Sequence, residues 1–280
     1  MLAIMGLMGV AATAFFIADT DDDAPATDEG VPPDQDDPSH PITSIDELIA
    51  PSDEDTVIFS GDGDDVIVSG GGDDYLDGED GDDLLVSNAG NDVLHGGRGD
   101  DQLDAGDGDD QLNGHVGNDV LQGGGGDDRL NGGSGDDLLM GGAGDDALLG
   151  SLDNDVLVGG AGADTLHGGS GDDLLYDRGD DDADYLNGGA GDDILKGDAG
   201  DTLNGGTGAD LFALTTQNDV IIEDYDAQVD QIEITYEGEA PELRTTLTAD
   251  GLVLMAGEEI VATFLELDAL DTDTVTLITA

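Results

Sequence analysis

The 280 residues contain no cysteine and no tryptophan, and only five Lys or Arg. The first absence excludes a disulfide framework and thiolate chemistry. The second, with aromatics at 4%, argues against a large conventional core. The third leaves 69 Asp plus Glu almost unopposed, for a net charge of −64. Such a polyanion has no use for nucleic acid and is disfavoured at anionic membrane surfaces. Catalytic signatures are also missing: there is no His-Glu-x-x-His and no Gly-x-Ser-x-Gly. Nor are there some 150 residues of ordinary sequence from which a catalytic domain could be built. The chain does not read as an enzyme.

What is present is a repeat. From Ser60 to Tyr176 a nine-residue unit recurs thirteen times in register, as Gly-Gly-x-Gly-(Asp/Asn)-Asp-x-Leu-x. Glycine at positions one, two and four permits positive φ and close backbone approach, so six residues suit a tight turn. The last three suit a very short strand with position eight pointing inward. That position is Ile67, then Leu76, Leu85, Leu94 and every ninth residue to Leu175. One such column per sheet is a thin core, set against the ordering entropy of many glycines.

Position six is Asp in all thirteen units: Asp65, Asp74, Asp83, Asp92, Asp101, Asp110, Asp119, Asp128, Asp137, Asp146, Asp155, Asp164 and Asp173. Position five adds Asp or Asn in twelve, with Ala163 the exception. Like charges stacked at a strand spacing of roughly 4.8 Å repel strongly without a counterion. Dense carboxylate and carbonyl oxygen suits a hard cation with six to eight oxygen ligands, calcium rather than zinc. Without it, an acidic glycine-rich chain is expected to be disordered. Every Asp pair has the same surroundings, so none stands out as a general acid. Four histidines occur, at 40, 95, 115 and 167. His95 and His167 share position nine but lie eight units apart, roughly 19 Å at the strand spacing. That is too far for one metal, and both read as exposed surface residues.

These units resemble the RTX, or haemolysin-type, calcium-binding repeat, whose fold is a β-roll. The resemblance implies an all-β parallel solenoid in which two units make one coil, with odd and even units on opposite sheets. It implies a calcium ion in the turns between unit n and unit n+2, hence eleven sites for thirteen units. Four further units follow: 177–187 is two residues too long, 188–196 regular, 197–204 one too short, and 205–213 closes the array. With these, Asp193 and Asp210 join the position-six ligands and the ceiling is fifteen. The units near Asp153, Ala163 and 177–204 depart from the pattern, so the sites beside them differ from the rest. Residues 60–213 hold 39 Asp plus Glu against four basic residues, a net of −35. Eleven calcium ions would leave −13 and fifteen would leave −5.

The flanks differ. Residues 2–18 are apolar and uncharged, at the lower limit for a membrane span. No Lys or Arg precedes them, as a secretory signal would want. A membrane-inserting segment, a weak signal peptide and a helix buried against the protein all stand as readings. Residues 19–56 read as a disordered acidic linker holding six of the seven prolines, with one helical turn over 45–49. The roll spans 57–213, and 214–280 form a C-terminal β cap. Within the cap, 218–234 resembles the segment that closes such rolls in type I secreted proteins, through Asp219, Ile221, Glu223, Asp224, Tyr225, Asp230, Ile232 and Ile234. Asp250-Gly251 marks a hairpin, followed by a strand over 258–267. The last ten residues carry no positive charge, as in uncleaved type I secretion signals.

The expected function is a calcium-binding protein, secreted through a type I apparatus or tethered to the cell envelope through 2–18, that folds on meeting extracellular calcium. Its role would be structural or interactive. The alternative is an accessory module or non-catalytic relative of an RTX exoenzyme acting on polysaccharide or protein. The outward positions of the odd units are mostly apolar, including Val66, Val86, Leu138, Met140, Val158 and Tyr176. That face is expected to be covered, by the C-terminal β region, by the N-terminal segment or by self-association with a second roll.

Overall fold

The computed structural model describes residues 52–177, 182–216, 219–265 and 267–280, with the backbone at Thr13–Ala14 and Leu48–Ile49. Most of 2–18 and most of the linker lie outside the described residues, but Thr13–Ala14 is a strand that pairs in parallel with Thr56 and Val57, which a helix over those two residues would not allow. At 45–49 one correction is possible: Leu48–Ile49 is a strand, not the end of a helical turn. It pairs with Ile67 and Val68 at the edge of a sheet, where extended backbone gains ladder hydrogen bonds that a helical turn would forgo.

The architecture is an all-β parallel solenoid. Among the described residues the only helical element is one 3₁₀ turn, Thr272–Thr274. Strands fall into two sheets, of fourteen and twelve members, and successive units alternate between them. Strand Tyr75–Asp80 pairs in parallel with Val93–Arg98, while the intervening Leu84–Ala89 pairs with Gln102–Asp107. Neighbours in a sheet are thus eighteen residues apart, as in Leu130 beside Leu148. Position eight fills the interior: Ile67 and the twelve Leu from Leu76 to Leu175 are all buried, in two facing columns.

The strands are longer than the three residues expected. Most have six, running from position seven through position three of the next unit. Their first four residues alternate outward and inward, so position one lies in the core beside the leucine. This changes the account of glycine. Positive φ occurs at positions two and four, as at Gly124 (+115°) and Gly126 (+124°), but not at position one. There the constraint is space. A Cβ on Gly114 would run into Asp119 Oδ2 and lie 2.7 Å from the Gly132 carbonyl oxygen. Ser60, Ser69, Ser87 and Ala105 occupy the same position and are fully or almost fully buried, so a small residue suffices.

The irregular units keep the sheets in register. Leu166 still faces Leu186, and Leu186 faces Leu203, across the long and short units respectively. The length changes are taken up between the strands. Beyond 213 both sheets continue. Strands Val220–Asp224 and Gln231–Tyr236 extend them in parallel. Leu243–Leu247, Leu252–Ala256 and Glu259–Phe264 then close the larger sheet as an antiparallel meander turning at Asp250-Gly251, and Thr276–Thr279 ends the smaller. Tyr225 packs between Phe212 and Phe264, with ring centroids at 6.0 and 5.4 Å. The cap therefore sits end-on rather than over the apolar face. On that face Leu138, Met140, Val156, Val158 and Leu174 are each partly exposed.

Candidate metal centres

The position-six aspartates form two buried columns, one along each row of turns. All thirteen regular ones, with Asp193 and Asp210, are at most 2% exposed. Each column is tied by a relay. The backbone N–H of one position-six residue donates to Oδ1 of the Asp one coil later, as from Asp101 to Asp119 and from Asp110 to Asp128, at 2.8 Å each. One relay begins at Thr56, whose N–H and hydroxyl both reach Asp74, and runs to Asp201. The other begins with the Asp65 N–H on Asp83 and ends at Asp230, which accepts from Asp210 at 3.0 Å.

Position five runs a second relay the other way. Here a side-chain oxygen accepts the N–H of the residue one coil later, as Asp109 does from Asp127 and Asn118 from Asp136. These groups are exposed. Ala163 donates to Asp145 at 2.9 Å but has no oxygen with which to accept. Position five is thus a hydrogen-bonding position in its own right, which explains why Asn serves there and never at position six.

The relays leave one set of atoms over. Oδ2 of Asp74, Asp83, Asp92, Asp101, Asp110, Asp119, Asp128, Asp137, Asp146, Asp155, Asp173 and Asp193 is buried and has no hydrogen-bond partner. A buried polar atom left so costs about 1–3 kcal/mol, and more when charged. The carboxyls respond accordingly. Burial pushes Asp155 up to about 8, opposed by the Asp137 N–H and reinforced by the charges of Asp137 and Asp173. Asp101, Asp110, Asp137 and Asp146 rise to about 7 for the same reasons. Each turn row is therefore a line of oxygens that demands positive charge. Among the described residues no three His, Cys, Asp or Glu side chains gather into a ready-made metal shell. Any ion here would take one or two carboxylates and complete its shell from backbone carbonyls, the oxygen-only set that suits calcium.

Three members of the columns escaped the unit-by-unit reading. Asp184 and Asp201 lie in the irregular units, are at most 3% exposed, and take part in the relay: Asp164 N–H donates to Asp184, and Asp184 N–H to Asp201. The signal was the Asp-x-Leu-x core, which survives in DYLN and DTLN although the unit lengths change. Asp230, the third, precedes Gln-Ile in the same way.

The histidines need a correction. His95 and His167 are both partly buried, His167 edge-on to Tyr185; Nδ1 of His95 lies 2.9 Å from Nε2 of His115 on the adjacent strand. The partner was missed because His115 stands at position two, where glycine is usual, and adopts φ +80° to reach it. Burial holds His95 below the usual imidazole range.

The family model described as RTX calcium-binding nonapeptide repeat (4 copies) matches residues 52–85, 77–112, 86–121, 113–148, 149–176, 178–212 and 201–221. No curated protein matches the chain. Among solved structures, the solution structure of the AlgE6R3 subunit from the Azotobacter vinelandii mannuronan C5-epimerase is 26% identical. That match covers 51% of this chain and 80% of the other, with a TM-score of 0.27. Among the described residues no helix is long and apolar enough to cross a membrane.

Proposed function

We propose that this chain, which belongs to the family of RTX calcium-binding nonapeptide repeat proteins, is a secreted protein whose solenoid folds when it binds extracellular calcium. The observation that carries the reading is the file of buried, unpartnered Oδ2 atoms at position six. A parallel solenoid that buries a carboxylate in every unit is self-repelling unless cations intervene. The ligands would be the fifteen position-six aspartates of the regular units, from Asp65 to Asp173 with Asp193 and Asp210. Asp184 and Asp201 join them on the same geometry. Each ion would sit between turns one coil apart, eleven to fifteen in all, with position five holding the turns in place.

The four segments have distinct parts in this reading. Residues 2–18 serve as an envelope tether or self-association element, and 19–56 as a spacer. Residues 57–213 are the calcium roll. Residues 214–280 cap its end and carry the signal for a type I apparatus. Low cytosolic calcium would keep the chain extended for export, and extracellular sites of roughly 10⁻⁴–10⁻³ M affinity would fill outside. Native mass spectrometry of the full chain in millimolar calcium should count eleven or more bound ions. A count of zero to two would remove the basis of the reading.

A further inference from the structure

The lengthened unit 177–187 breaks the nine-residue period, and the structure concentrates charge there. Position one, elsewhere Gly, Ser or Ala, is Asp177. It is 6% exposed, and its Oδ1 accepts the Gly160 N–H at 3.0 Å. Its Oδ2 is buried without a hydrogen-bond partner, and so is Oδ2 of Asp184 in the same unit. In a regular coil there is no room for such a side chain. A Cβ on Gly168 would already run into Asp173 Oδ2 and stand 2.6 Å from the Gly188 carbonyl oxygen. The two extra residues lie between strands that keep register on both sides. The longer unit and its larger, acidic first residue therefore belong together.

We propose that the lengthened unit carries the strongest calcium site of the array, with Asp177 adding a third buried carboxylate to the Asp184 and Asp201 pair. The inference rests on the calcium reading above. Oδ2 of Asp201 is already held by the Asp198 N–H at 2.6 Å. The oxygens left for an ion are thus those of Asp177 and Asp184. After burial and the relay bond, Asp177 is the largest charge acting on Asp184, and it acts on Asp201 as well. The three do not form a closed shell by themselves, so Asp177 works through one offered oxygen and through its field. Calcium affinity rises with the charge gathered at a site, and three buried carboxylates gather here where a regular coil has two. This site would fill first and order the C-terminal coils before the rest.

The test is a calcium titration of the full chain from chelator, followed by native mass spectrometry and by hydrogen exchange. The wild type should take up one ion at about tenfold lower free calcium than the remainder, with protection first appearing over 182–205. Asp177→Gly restores the repeat consensus, and Asp177→Asn keeps the shape. Both should abolish the early step and leave the main transition within about twofold. A wild-type titration without an early ion, or an early ion that persists in both variants, overturns the proposal. Asp128→Asn, far from this unit, separates the two claims. If it too leaves the main transition unmoved, the calcium reading itself has failed.

Discussion

Asp128→Asn paired with Asp107→Asn separates ligand from charge. Each change removes one negative charge with little change in shape. Asp107 is exposed at position three, so its loss should stay within about ±0.5 kcal/mol. Asp128 is 1% exposed. An Asn there can keep Oδ1 toward the Asp110 N–H, now 2.8 Å away, so the relay survives. It turns an amide NH₂ toward the space where Oδ2 had no partner, and a cation cannot bind there. The cost is that of one lost ion. At calcium about 100-fold above the dissociation constant, that is about 2.7 kcal/mol. Circular dichroism during calcium titration should show a higher midpoint for Asp128→Asn alone, and urea unfolding in calcium should show the energy difference. Equal midpoints for the two variants would refute the assigned register and the role of position six.

In chelator, compact β structure should increase as the pH falls from about 8 to 4. Asp101, Asp137 and Asp155 have folded pKa values raised to about 7, 7 and 8, above the roughly 3.9 of an unfolded chain. Their contribution is fully present below the unfolded value and is lost as pH rises through the folded one. In saturating calcium the order should reverse, because protons displace the ion; dichroism that moves the same way in both media would contradict this. Gly126→Ala, at φ +124° with its Cβ directed into the Gly108 carbonyl, should cost about 1–3 kcal/mol in calcium, measured by urea unfolding. Glu79→Gly should raise the melting temperature of the calcium-loaded protein. It relieves φ +69°, a strain of about 1–2 kcal/mol, and removes a carboxylate crowded by Asp77, Asp62 and Asp80.

The regular part of the fold was legible because the repeat places every position in one environment. Leu130 could be assigned to the core and Asp128 to the turn row without coordinates. Odd and even units do fall on opposite sheets. Two kinds of feature were hidden. One depends on packing between coils. Nothing in a single unit says that position-one glycine is needed for space and not for φ, or that position five bonds the coil before it. The other arises where the period breaks. A count by nines passes over Asp184 and Asp201, although the sheet keeps them in line. His115 was invisible as a partner of His95 because its side chain reaches across from a position normally without one. The C-terminal hairpin at Asp250-Gly251 was readable from its turn alone, but its end-on placement depends on which sheet edge remained free.

The most direct test of calcium as the counterion that holds this fold is far-ultraviolet circular dichroism of the full chain at neutral pH, in chelator and then in millimolar calcium. The chain should lack β structure in chelator and become β-rich on adding calcium. The rise should be steep, because each coil stabilises its neighbours. A chain already β-rich in chelator, and unchanged by calcium, would contradict it.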